Sequence, residues 1–233
     1  MRLLAVDTAQ GACSAAVVSG AACLAQRRRV MRTGHAEALP GLTQEVLLEA
    51  GLTLDDIARF ATSIGPGSFT GLRVGLSFCR GLALAKSVPA VGVTTLAAIA
   101  HAAAIDRPDG ALTVAVFDAR RNEGYWQVFD GLEAPITPPA LAPIDGIVAA
   151  LHTLPRGSAV HLVGTGAPLL APALADAKSG SPGAVSLSEA APLPDAAAVG
   201  ALAARIEDPQ TAPARPLYLR SPDATPAKPV FAR

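Results

Sequence analysis

Residues 59–86 read RFATSIGPGSFTGLRVGLSFCRGLALAK, and this stretch decides the fold class. Arg59 to Ile64 reads as a strand, Gly65-Pro66-Gly67-Ser68 as a tight turn, and Thr70 is placed to cap a helix running to about Lys86. Upstream, Leu3 to Asp7, Ala12 to Val18 and Ala22 to Val30 read as three consecutive strands, with turns at Gln10-Gly11 and Gly20-Ala21. His35 to Ala50 then reads as a helix, with Leu39, Leu42, Val46 and Leu47 at three-to-four spacing and Gly51 where a C-terminal cap belongs. Pro40 and Gly41 predict a kink in it or a later start. Downstream, Val88 to Val93 gives a strand and Thr94 to Ala104 a helix, so strands followed by alternating helix and strand build a mixed α/β layer.

The segment Ile105 to Gly110 breaks this pattern, and a second block follows. It has strands from Leu112 to Asp118 and Gly124 to Asp130 and a Pro-rich stretch from Pro135 to Pro143, in which Ala140 to Pro143 suits a short edge strand. Helix Asp145 to His152, strand Val160 to Val163 and a helix from about Pro168 to Ala177 complete it. Asp195 to Ile206 is a last Ala-rich helix with Asp195 as its N-cap. The order predicts a first lobe over 1–104, a smaller second lobe over 110–194 and a closing helix and segment over 195–220 that packs on the first lobe. A mobile tail is expected over 221–233. The two blocks suggest a duplicated architecture without a residue-level repeat.

A chain of 233 residues is long enough for one large domain or two compact lobes. Its 51% apolar content comes with only 4% aromatics, because Ala supplies much of the total. Nineteen basic residues balance nineteen acidic ones, so no net field draws polyanions over long range and any RNA contact must be local or shared. The apolar run from Val74 to Ala85 is interrupted by Arg80 and falls short of the about 20 residues a membrane span needs. With no basic region ahead of a long apolar core, a signal peptide is not expected and the cytoplasm is the expected location. Cys13, Cys23 and Cys79 form no CxxC pair and no even set, which argues against disulfides and thiolate metal sites.

Gly65 to Arg73 is a glycine-rich turn feeding a helix whose first N–H groups lack internal partners. It suits either a structural turn or an anion contact through Gly67, Ser68 and Thr70, yet it lacks the lysine of a phosphate-binding loop. Asp7 either caps its own turn or positions a metal-bound phosphate, and Gly164 and Gly166 form a short GxG that could approach a nucleotide. The helix after the turn carries Leu72, Val74, Leu76, Phe78, Leu82 and Leu84 around its axis, and only Arg73 and Arg80 mark a polar side. A helix apolar nearly all round must be buried on more than one side, within one chain or under a partner subunit. His35 has leucine four residues on, at Leu39, so no helical metal pair forms, and His101, His152 and His161 lack nearby ligands. No Ser/His/Asp set is legible.

Taken together, Leu3 to Thr8, His35 to Pro40, Gly65 to Gly75, Val91 to Leu96, Asp118-Ala119-Arg120 and Tyr218-Leu219-Arg220 resemble the TsaB (YeaZ) family in order and spacing. The resemblance is close from residue 1 to about 126 and looser beyond. It implies an actin-like (ASKHA, ribonuclease H-like) fold of two lobes, each on a mixed five-stranded sheet flanked by helices. It also implies a non-catalytic subunit that works with the related catalytic subunit TsaD and the ATPase TsaE to place threonylcarbamoyl on adenosine in tRNAs reading codons that start with A. On that reading the chain binds no cofactor alone, ATP and metal belong to the partner subunits, and tRNA is reached only through the complex. A homodimer is allowed when the chain is alone. In the catalytic relative two histidines four apart help hold a metal; here only His35 matches, which counts against catalysis and against the older peptidase label. The helices starting near His35 and Thr70 are the implied partner surface, with His35, Leu39, Leu42, Val46, Leu72, Arg73, Gly75, Leu76, Cys79 and Arg80 as its residues. The competing expectations are an ATP-dependent small-molecule kinase of the same fold class, using Asp7 and Gly164 to Gly166, and a homodimeric interaction protein unrelated to tRNA.

Overall fold

The computed structural model describes residues 1–20, 22–176 and 182–220. Its first lobe carries β1 (Arg2–Asp7), β2 (Ala12–Ser19), β3 (Ala22–Val30), α1 (His35–Glu49), β4 (Arg59–Ser63), α2 (Phe69–Lys86), β5 (Ala90–Val93) and α3 (Thr95–Ala102). The sheet order is β3-β2-β1-β4-β5, antiparallel across β3, β2 and β1 and parallel from β1 to β5. The second lobe repeats the series as β6 (Leu112–Asp118), β7 (Glu123–Phe129), β8 (Ala140–Pro143), α4 (Ile144–Leu151), β9 (Val160–Val163), α5 (Ala167–Asp176), β10 (Val185–Leu187) and α6 (Ala196–Ala204). Its order, β10-β9-β6-β7-β8, is the same arrangement with the central strand again first in sequence. Two such mixed five-stranded sheets flanked by helices make the actin-like two-lobe fold.

Alternation along β1 sorts the core of the first lobe. Leu4 and Val6 face Leu39, Leu42 and Val46 of α1 and Cys79 of α2, whereas Leu3 and Ala5 face Ala196, Val199 and Ala203 of α6. Buried Arg59 fixes α6 by donating from a guanidinium nitrogen to the carbonyls of Ala203 at 2.9 Å and Ile206 at 2.6 Å, where the helix end leaves acceptors free. α3 joins the lobes: Ala98 packs with the first, and Leu96, Ile99 and Ala100 pack on Ala115, Phe117 and Val163 of the second. The closing segment runs along the first sheet, with Leu217 N donating to Ile64 O at 2.7 Å, and then pairs Arg220 with Glu123 of β7.

Several sequence expectations change in the structure. Ser68, not Thr70, caps α2, its hydroxyl accepting from Gly71 N at 3.0 Å. β5 starts at Ala90 because Ser87 takes the left-handed conformation and Val88 N donates back to Ala83 O, which ends α2. α1 runs unbroken through Pro40 from His35, entered through Gly34 at φ 82°. The expected end of the fifth helix at Ala177 and the tail over 221–233 lie outside the described residues. Among the described residues no helix is long and apolar enough to cross a membrane.

Candidate functional site

α2 is held to its sheet by small residues. Thr8 at the end of β1 donates from Oγ1 to Gly71 O at 2.7 Å and accepts from Gly75 N at 3.1 Å. A Cβ at Gly71 would sit 2.1 Å from Thr8 O, and one at Gly67 would sit 2.5 Å from Ala9 O. The glycines of the quoted motif therefore let the helix start press onto the first strand.

That packing corrects the expected partner surface. Leu72, Gly75, Leu76 and Cys79 face inward, and Cys79 Sγ donates to Ala61 O at 3.2 Å, its thiol pushed up to about 12 by burial. Leu39, Leu42 and Val46 are core residues of the same lobe. Of the expected set, only Arg73 and Arg80 are exposed, while His35 is buried and its Nε2 has no hydrogen-bond partner. α2 is fully buried along one stripe, and its remaining apolar residues are either half-buried against the core beside α1 or exposed. Phe69, Thr70, Arg73, Ser77, Arg80 and Leu84 form the outward stripe, Leu84 at 83% exposure, and half-buried Val74, Phe78 and Leu82 turn toward α1. α1 and α2 splay apart there. One groove of about 530 Å³ is lined by Ala36, Leu39, Phe69, Arg73, Val74 and Phe78, and another of about 440 Å³ by Pro40, Thr43, Leu47, Leu48, Phe78 and Leu82. Sequence reading placed Ser77 on the partner surface and Phe78 and Leu84 on the helix without assigning their faces, and it missed Phe69, although counting in helical steps from Arg73 and Arg80 separates those faces. Missed too was Tyr218, which stacks on Phe69 with centroids 5.4 Å apart and accepts from Arg73 Nε at 3.4 Å.

The expected anion residues do not form one site. Gly164 and Gly166 pack against the end of β6, with a Cβ at Gly164 falling 2.2 Å from Val116 O, so they are structural glycines of the second lobe. The Ser68 hydroxyl is engaged as a cap. Thr70 and Ser68 do line an open cleft of about 640 Å³ with Gln10, Arg32, His35 and Arg120. Asp7 is fully buried; its Oδ1 accepts from Ala9 N at 3.3 Å, and burial pushes its carboxyl up to about 7 against the lowering effects of that N–H and of Arg28. It caps its own turn, and it does not line the cleft. Among the described residues no group of three or more His, Cys, Asp or Glu side chains is placed to hold a metal ion. The structure also brings together Asp106, His161 and Ser186, with His161 Nδ1 2.8 Å from Ser186 Oγ and Nε2 3.1 Å from Asp106 Oδ1. His161 is only 2% exposed, and this network ties the interlobe segment to β9 and β10.

The family model described as "TsaD: tRNA N6-adenosine threonylcarbamoyltransferase" matches residues 29–156, more than half of the chain. The tRNA threonylcarbamoyladenosine biosynthesis protein TsaB of Escherichia coli K12 is 41% identical over 127 residues, 54% of this chain and 54% of that protein. The protein of the same description from Haemophilus influenzae is 36% identical over 126 residues. The chain belongs to the TsaB/YeaZ branch of this family. It spans about half the length of the curated relatives it matches. Among solved structures, YeaZ from Pseudomonas aeruginosa superposes with a TM-score of 0.75 at 28% identity, covering 94% of this chain and 99% of that one. The family match thus takes in α1, α2 and the grooves between them.

Proposed function

We propose that this chain is a non-catalytic subunit of the machinery that forms threonylcarbamoyladenosine on tRNA, acting in the cytoplasm by docking a TsaD-type catalytic subunit through α1 and α2. The observation that carries this reading is the α1–α2 face: two family-matched helices, both anchored on the first lobe's sheet, leave two apolar grooves with Phe78 between them. An apolar groove of that form suits helices laid in from a partner. Leu39, where the resemblance has a second metal-binding histidine in the catalytic subunit, is a fully buried core residue, which supports a scaffolding role. ATP and metal then belong to TsaD and to the ATPase TsaE, and tRNA is contacted only within the assembly. Without its partner the same face is free to meet a second copy of the chain.

The test is direct. The purified chain is expected to bind the TsaD-type subunit of its own source, and its depletion should remove threonylcarbamoyladenosine from tRNA while the threonylcarbamoyl-adenylate donor persists. Unchanged tRNA modification in depleted cells rejects the reading, and loss of the donor moves the protein to an earlier step.

A further inference from the structure

The charges on the outward stripe of α2 narrow the kind of partner it fits. Arg73 and Arg80 are exposed and seven residues apart, which sets them about 10.5 Å apart along the axis on one side of the helix. Four other surface cations of this lobe meet carboxylates: Arg27 with Glu49 at 2.5 Å, Arg29 with Glu45 at 3.1 Å, Arg2 with Asp56 at 3.2 Å, and Lys86 with Asp55. Arg73 instead lies 3.7 Å over the Phe69 ring and donates to Tyr218, so its guanidinium is held in place without being neutralised. Arg80 has no hydrogen bond or ion pair among the described residues. Ser77 between them and Gly81 just past Arg80 are small and exposed, and a Cβ at Gly81 would meet nothing within 4 Å. Arg73, held against Phe69 and Tyr218, and Arg80, with no partner among the described residues, therefore bracket a shallow stretch at Ser77 that a second helix can approach closely.

We propose that this face receives an amphipathic helix of the partner protein carrying two carboxylates two turns apart, one opposite Arg73 and one opposite Arg80. Apolar side chains on the same helix fill the groove at Val74 and Phe78. The inference rests on the docking role proposed above and adds its chemistry. A second copy of the chain is the poorer occupant. A self-complementary contact gathers the same two cations from both copies, while Glu45 and Glu49 are already drawn toward β3 by Arg27 and Arg29.

The affinity of wild type, Arg80→Glu and Arg73→Glu/Arg80→Glu for the TsaD-type subunit, measured by calorimetry between about 0.05 and 0.5 M salt, tests this. Arg80→Glu should weaken binding about tenfold and the double variant about a hundredfold, and wild-type binding should weaken with salt while the double variant's does not. Arg80 makes no hydrogen bond or ion pair among the described residues, so an unchanged urea transition for Arg80→Glu assigns its loss to docking. Wild-type binding that is insensitive to salt and to Arg80→Glu overturns the inference and leaves the docking role standing. If wild type does not bind the TsaD-type subunit, the docking role falls, and sedimentation of the chain alone decides the rest. A dimer that Arg80→Glu disrupts makes a second copy the occupant, and a chain that stays monomeric leaves the face without the proposed partner; either result overturns the inference.

Discussion

The two lobes share one strand order and differ in their first two helices. α1 and α2 have 15 and 18 residues, whereas their counterparts α4 and α5 have 8 and 10. At 1.5 Å per residue, α2 extends about 27 Å against about 15 Å for α5. In the second lobe Ile147 and Leu151 of α4 meet Leu170 and Leu174 of α5 in one core cluster with Val114 and Val116, so that helix pair closes on itself. In the first lobe α1 and α2 also share a core cluster on the sheet, through Leu39, Leu42, Val46 and Cys79, but beyond it two apolar grooves stay open between them. Covering a five-stranded sheet takes only the short version. The added turns of α1 and α2 make the surface on which the proposed docking role rests.

The strongest break of this comparison targets what holds α2 down. Gly75→Leu puts a Cβ 2.7 Å from Thr8 Oγ1 and 2.8 Å from Thr62 Oγ1, with three more carbons to place. We expect it to destabilise the first lobe by about 3 kcal/mol or more, through overpacking and loss of the Thr8 hydrogen bonds. Gly164→Ala, at φ 105° and 2.2 Å from Val116 O, should cost the second lobe about as much. Urea unfolding measures both. A Gly75→Leu protein of wild-type stability that had lost only partner binding would return Gly75 to the docking surface.

Asp7 makes a second asymmetry, since the first lobe buries an ionisable group at the end of its first strand while the corresponding Asp118 of the second is half-buried. Asp7 has a folded pKa of about 7 against an ordinary 3.8. Between these values the folded state keeps a proton that the unfolded state releases, so stability falls as pH rises through that window and levels off above it. Asp7→Asn keeps the shape without the charge and should be more stable than wild type by about 4 kcal/mol at pH 8, with the advantage largely gone near pH 4. Parallel urea titrations at the two pH values give the difference, and equal pH profiles would remove burial as the controlling effect.

Docking separates the lobes by about 1.5 kcal/mol. Phe78 borders both grooves, so Phe78→Ala should weaken binding of the TsaD-type subunit about tenfold. Leu169→Ala, at an exposed leucine of α5, should leave it unchanged. Equal losses from both variants would spread the contact over both lobes.

Much of this was legible in the sequence, and the limits have physical causes. The two-block order, the interlobe break and most strands follow from alternation and turn residues such as Gln10-Gly11, because local periodicity encodes them. Which face of α2 meets its own sheet was not legible: Leu72 and Leu84 are the same residue type, yet one is buried and the other is 83% exposed. Contacts distant in sequence set the rotation of that helix, Thr8 with Gly71 and Gly75 across more than sixty residues and Cys79 with Ala61. The Asp106–His161–Ser186 network was missed for the same reason, being assembled from three elements with no spacing to betray it. Gly164 and Gly166 look like a ligand-binding GxG because close backbone packing and close ligand approach ask for the same residue.

The smallest expected effect tests how α2 begins. Sequence pattern favours Thr70 as the cap, in fact the second residue of the helix, whereas the structure gives that role to Ser68, whose extended backbone at φ −65° and ψ 133° lets its hydroxyl accept from Gly71 N. Ser68 N is itself held by Ala9 O at 2.8 Å, so the cap is fixed to the turn after β1 before the helix starts. Ser68→Ala removes one acceptor from a helix end whose donors have few others and should cost about 1 kcal/mol. Thr70 is exposed and outside the capping geometry, so Thr70→Ala should change stability by less than about 0.5 kcal/mol. Both are measured by urea unfolding, with amide exchange at Gly71 as the local readout: Ser68→Ala should speed exchange there and Thr70→Ala should not. The reverse order of effects would move the start of α2 to Thr70 and shorten the docking helix by the turn that carries Phe69.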